Sequence, residues 1–282
     1  MTRDEHYVPK MYLKRFCETE QTIENIHVDD YKCASRMCVK KANIGDICKS
    51  RDLYELTDVN GYFCRQNGLE NIFSRYESQM SQQLDGWGKH WVESNPKRIN
   101  KAEKEKIAEF LLLMLFRNPK IIGAAQSIIS DSMWIHGKYA TEELKKVYWF
   151  VKSFWGDPKE KTESLLVKET KNLQEKFKIK VFLAASSEKS FWTADVPVAT
   201  VAIEKKRILY MPLSSSCAVQ FANDECGADD CEVEWCNEDD VAHLNKYMLN
   251  CRTDLLLSKH FEDTDIAQIE SYLRKKNQRV GG

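Results

Sequence analysis

Apolar positions alternate with polar ones along parts of this chain and recur every three or four residues along others. That change of period divides it into candidate strands and helices. Pro9 can open a short helix within Tyr7–Phe16. Ile23, Ile26 and Val28 suggest a strand or hairpin arm over 21–31. A loop-rich stretch follows to Asp58, with Asp52, Leu53 and Tyr54 leading into a turn at Asn60-Gly61 and a return strand through Tyr62 and Phe63. From Gly68, Leu69, Ile72, Phe73, Tyr76 and Met80 form the stripe of an amphipathic helix. Asn100 with Glu103 has the spacing of a capping box, and the run Phe110–Phe116 beyond it is apolar on every side, which predicts a central core helix. Pro119 kinks or restarts that helix, which continues to about His136, and a further helix is expected over Thr141–Phe154 with Thr141 as its cap.

The lysines of 171–178 read as a solvated face. Strands are expected at Ile179–Ala185, Phe191–Thr193 and Ile208–Met211, then helices from Glu238 and over Ile266–Leu273. The pattern as a whole predicts an α+β fold, predominantly helical, with one small mixed or antiparallel sheet against the helices. With 282 residues, 43% of them hydrophobic, the chain is near the upper size for a single core. We read a single domain over 1–282, with a strand and helix part at about 1–160, a sheet and helices at about 161–275, and a flexible tail at 276–282. The 42 basic and 43 acidic side chains leave a net charge of −1, so nucleic acid could be held only through a local patch. No apolar run is long enough to span a bilayer and the opening residues lack a signal-peptide pattern, which predicts a soluble, cytoplasmic protein without a membrane partner. Ten cysteines in a reducing compartment are expected as free thiols. Neither Cys226, Cys231 and Cys236 with His243 nor Cys33, Cys38, Cys48 and Cys64 contains the tight pair of a zinc knuckle, so structural zinc is disfavoured.

Several short motifs stand out from this background. His6, Tyr7, Val8 and Pro9, then Tyr12, Leu13 and Phe16, spell H-Y-V-P-x-x-Y-L-x-x-F. Arg117 and Pro119 give R-x-P at the end of the apolar helix, and Phe191–Val198 reads F-W-T-A-D-V-P-V. Pro212-Leu213-Ser214 and Leu244-Asn245 complete the set. Together they resemble the mainly bacterial family called domain of unknown function 4238, with Ala194 where the family more often has serine. The resemblance implies a family and no reaction. Ser214 is expected to cap a helix rather than act as a nucleophile.

The candidate chemistry lies in polar residues attached to apolar elements. His6, Glu70, Arg117 and Asp195 are the catalytic candidates, and Tyr12, Glu77 and Asn245 the substrate-binding ones. Glu70 and Glu77 stand seven residues apart and so share a helix face, about 10 Å apart. Arg117 could pair with a structural acid or with a phosphate or carboxylate of a substrate. Asp195 could present a binding group or close an Asx-turn. A histidine base, an arginine and carboxylates suit a phosphoester-acting hydrolase, such as an RNase or other nuclease in bacterial defence or toxin action. The alternative is a non-enzymatic ligand- or partner-binding protein in which Asp195 pairs with Arg117 inside a structural network. A third option is a divalent metal held by His6 with Glu70 or Glu77.

Overall fold

The computed structural model describes residues 4–19, 21–28, 37–54, 68–93, 99–130, 142–156, 161–203, 206–223, 231–251 and 254–280. Outside them lie the turn expected at Asn60-Gly61, the strand at Tyr62-Phe63, residues 29–31, the helix end near His136, Thr141, and Cys33, Cys64 and Cys226. The chain opens with a short strand, β1 (Asp4–His6). After Pro9 it enters α1 (Lys10–Leu13), which tightens into a 3-10 turn over Lys14–Phe16. β2 (Thr22–His27), β3 (Val39–Asn43) and β4 (Lys49–Arg51) follow, and β1 pairs antiparallel with β4 so that His6 lies opposite Lys49. Cys48, buried and at φ +54°, turns the chain through the left-handed region into β4, and its carbonyl accepts the Tyr7 N–H at 3.0 Å.

Three helices come next: α2 (Gly68–Glu93), α3 (Lys101–Phe116) and α4 (Pro119–Ser130). The Asn100–Glu103 capping box closes at 2.9 Å in both directions, and α3 is buried from Phe110 through Met114 as its apolar run requires. α5 (Glu142–Phe150) passes into a π turn over Val151–Trp155 that ends at Gly156, where φ is +75°. A Cβ at Gly156 would lie 2.2 Å from the Thr162 carbonyl oxygen, so the close return of the chain requires glycine there. α6 (Leu165–Lys176), capped by the Ser164 hydroxyl, buries Leu166, Thr170 and Leu173 and turns Lys168 and Lys171 to solvent.

β5 (Lys178–Ala184), β6 (Thr193–Ala194), β7 (Ala199–Ile203), β8 (Lys206–Ser214), β9 (Cys217–Ala222) and β10 (Cys231–Cys236) lead to α7 (Glu238–Asn250), β11 (Leu255–Ser258) and α8 (Asp263–Val280). Five strands form one sheet in the order β10-β5-β9-β8-β7, antiparallel except for the parallel β10/β5 pair. Four form another in the order β3-β2-β11-β6.

This architecture corrects the expectation of a predominantly helical chain with one small sheet. Helices hold 51% of the described residues, and the strands make three sheets of two, five and four strands. The missed strands have physical reasons. β3 and β4 are mostly polar, β11 is buried at every position and so shows no alternation, and Cys231, Val233 and Trp235 of β10 sit within the segment weighed as a metal cluster. Ser214 ends β8, and its hydroxyl accepts the Ser216 N–H at 3.2 Å, so it closes a hairpin and not the helix expected there.

The five-stranded sheet separates two cores, as the period of two along a strand demands. Ile179, Val181, Leu209 and Met211 face the helical core around Phe110 and Leu111, whereas Phe182, Ile208 and Tyr210 face a second core with Trp192, Met248 and Ile269. Two buried polar side chains hold the segments around β6 in place. The Tyr12 hydroxyl, fully buried, donates to the Pro212 carbonyl at 2.6 Å and meets Thr193 Oγ1 at 2.7 Å. Asn245, also fully buried, accepts the Trp192 N–H at 2.9 Å and donates to the Ser190 carbonyl at 3.0 Å. Both residues, expected to bind substrate, are spent on the fold. Asn245→Ala leaves two buried backbone groups unpaired and should cost about 1–3 kcal/mol. Urea denaturation would read this as a lower midpoint with an unchanged slope, and an unshifted midpoint would show that Asn245 does not hold the strand.

Candidate functional site

The apolar run of α3 delivers Arg117 at the helix end with its side chain 2% exposed. A buried guanidinium needs acceptors, and three elements supply them. Nη1 donates to Glu77 Oε1 on α2 at 2.5 Å, Nη2 to the His6 carbonyl at the end of β1, and Nε to the Tyr54 hydroxyl at 3.2 Å. The Tyr54 hydroxyl returns a bond to the Arg117 carbonyl at 3.0 Å. The guanidinium carbon also lies 4.4 Å from the centre of the Phe73 ring, close enough for a cation–π contact. Burial alone would depress its pKa, but Tyr54 and Glu77 outweigh that effect and hold it above the ordinary value, so the charge is permanent.

These contacts build one wall of a cleft of about 200 Å³. His6, Glu70, Glu77 and Arg117 all line it, so four of the seven residues proposed from sequence meet there. Asp4, Glu5 and Lys10 line it too, and the sequence reading missed them. Their signal is the β1 strand itself: Asp4 and His6 alternate about Glu5, which is 2% exposed and accepts the Tyr54 N–H at 2.6 Å through Oε2. The sequence pattern marks Tyr54 only as the approach to a turn, although it braces both Arg117 and Glu5.

The cleft is acidic. Four carboxylates stand against two fixed cations, Lys10 and Arg117, and the His6 ring has a lowered pKa, which favours its neutral form. Burial is the main cause, with the nearby Lys10 charge and then Lys49 acting in the same sense, while hydrogen bonding to the backbone at Gly45 and Ile44 opposes them. His6 Nε2 is buried and has no hydrogen-bond partner among the described residues.

Asp195 does not line this cleft. Its Oδ1 accepts the N–H groups of Asp254 at 3.1 Å and Leu255 at 3.3 Å, and Oδ2 pairs with Lys120 at 3.2 Å. Lys120 also reaches Asp254 Oδ2 at 2.9 Å, and the Asn118 amide donates to the Asp195 carbonyl at 2.7 Å. Asp195 therefore organises the entry to β11, and the pairing with Arg117 considered from sequence is replaced by pairing with Lys120. Tyr12 and Asn245 are likewise absent from the cleft lining.

Among the described residues no three His, Cys, Asp or Glu side chains are grouped closely enough to hold a metal ion. Cys17, Cys38, Cys48, Cys217, Cys236 and Cys251 are free thiols, and burial raises Cys217 to about 12. No helix among the described residues is long and apolar enough to cross a membrane.

Fold and cleft together define an α+β protein whose N-terminal strand is clamped against two helices by one buried arginine. Residues 5–259 match the family described as protein of unknown function (DUF4238), and the chain belongs to that family. No curated protein and no solved structure matches it.

The lowered His6 pKa has a consequence for stability. The unfolded chain takes up the proton more readily than the folded one, so stability rises with pH between the two values. The contribution is complete above the ordinary value of 6.5 and is lost as pH falls through it toward the lower folded value. Urea denaturation across that window should give a rising slope in the wild type that is shallower in His6→Gln. An equal slope in both would place the titration elsewhere.

Proposed function

We propose that the His6–Glu77–Arg117 cleft is the active site of a phosphoester-acting hydrolase, with RNA or another nucleic acid strand as its substrate. The observation that carries this reading is the meeting of a histidine, a buried arginine and two helix-borne carboxylates in one small cleft, with the histidine pKa lowered by burial. A neutral imidazole is the form that accepts a proton. Among the described residues Arg117 engages three of the five N–H donors of a guanidinium, which leaves one on each terminal nitrogen for the non-bridging oxygens of a phosphoester.

In the step that follows from this arrangement, a water molecule attacks phosphorus while His6 takes its proton. The bond from phosphorus to the leaving oxygen breaks, and that oxygen takes a proton from solvent. Arg117 stabilises the charge that gathers on the other phosphoryl oxygens, and Glu77 fixes the guanidinium in place. Glu70, one turn-pair before Glu77 on α2, borders the space in which the attacking water would stand. Because the cleft lining is itself acidic, a phosphate enters with less repulsion when a mobile cation accompanies it, and activity should depend on the cations in the buffer.

The non-enzymatic reading draws on one observation: Arg117 is already held on three sides by the protein. The two readings differ in what His6 does. A fluorophore–quencher single-stranded RNA incubated with purified protein should be cleaved by the wild type and about 10²–10⁴ times more slowly by His6→Gln. Circular dichroism of the same samples should show both folded at neutral pH. Equal rates, or no cleavage by the wild type with any divalent cation added, would remove the hydrolase reading and leave that of a binding protein.

A further inference from the structure

A second cleft, of about 450 Å³, opens at the far end of α2. Its volume is in the range of small-molecule sites, which are mostly apolar with a few placed polar groups. The walls fit that description. Leu84 and Trp91 of α2 and Leu183 of β5 line it, and Val92 and Trp235 at its edge remain 47% and 44% exposed. Solvated apolar side chains of that size are uncommon among the described residues, and two of the five face this one cleft. The polar part is the hairpin Ser214–Ser216 together with Arg15, whose Nη2 pairs with Asp85 at 2.7 Å and so adds no net charge. Two donors in the lining residues, Arg15 Nε and Trp91 Nε1, are buried without a hydrogen-bond partner among the described residues.

The cleft is also placed in register with the first one. Glu70, Glu77, Leu84 and Trp91 are spaced by seven and therefore follow one face of α2. The first pair lines the acidic cleft and the second pair lines this one. Glu77 and Leu84 are about 10 Å apart along the helix axis. On the other wall, Lys10 and Arg15 of the α1 segment divide between the two clefts in the same way.

We propose that the second cleft binds a nucleobase of a single-stranded polynucleotide whose backbone runs along α2 toward the acidic cleft. The Trp235 indole, 44% exposed in the cleft lining, offers stacking that accepts any base, the serine hydroxyls offer donors and acceptors to a ring edge, and a lining without net charge suits a base better than a phosphate. The choice of a nucleotide-borne ring rests on the phosphoester reading of the first cleft. The binding itself is measurable without turnover.

The test uses fluorescence anisotropy of a dye-labelled, short single-stranded RNA at fixed salt, with all proteins carrying His6→Gln so that the strand stays intact. The expected result is binding that weakens about tenfold on adding Trp235→Ala, and comparably on adding Val92→Asp, both changes at exposed positions that spare the core. An abasic strand of the same length should bind the parent protein about tenfold more weakly than the RNA. No binding by the parent, an unchanged affinity in both added variants, or equal affinity for the abasic strand would each overturn the proposal. Binding that behaves as expected while the wild type cleaves nothing would overturn only the hydrolase reading.

Discussion

A guanidinium buried at the end of an apolar helix is the constraint on which the rest of this molecule is arranged. The α3 run from Phe110 to Phe116 places Arg117 where water cannot solvate it, so acceptors must come from the protein. Glu77 supplies a charge from α2, the His6 carbonyl ends β1 against it, and Tyr54 closes the third side while bonding back to the Arg117 carbonyl. One side chain thus fixes the approach of a strand, a loop and a helix that are far apart in sequence. The cleft is the space left where those three pieces meet around Arg117.

The polar groups of the structure fall into separate networks with separate duties. Asp195, Lys120, Asp254 and Asn118 hold the strand entering β11. Tyr12 joins α1 to β8 and β6, Asn245 holds α7 to the segment before β6, and neither has exposed surface. The Arg117 group, unlike these two, borders an open cleft. Its lining holds more carboxylates than cations, while the lowered His6 pKa comes from burial first and then from the Lys10 and Lys49 charges.

What could be read from the sequence follows from how local each determinant is. The capping box at Asn100, the all-round apolar run of α3 and the α2 stripe are local patterns, and each gave the helix it promised. The H-Y-V-P opening pointed to His6, and the seven-residue spacing placed Glu70 and Glu77 together. Strand pairing is not local. β3 and β4 are polar because one edge partner suffices for them, and β11 reads as a generic apolar run because both its faces are covered. The same limit separates Asp195 from the cleft: its motif marks a turn in the chain but carries no information on which cation, Arg117 or Lys120, it will meet. Glu5 and Tyr54 were invisible for the matching reason, since each owes its role to a partner about fifty positions away.

The coupling between Arg117 and Glu77 tests the clamp most directly. It can be measured by urea denaturation of the wild type, Arg117→Met, Glu77→Leu and the double variant. If the pair is the structural node, each single change destabilises the protein by leaving the other charge without its partner, and the double costs less than the sum by about 0.5–3 kcal/mol. Strict additivity of the two single changes would contradict it, and the cleft would then have to owe its shape to the surrounding apolar packing alone.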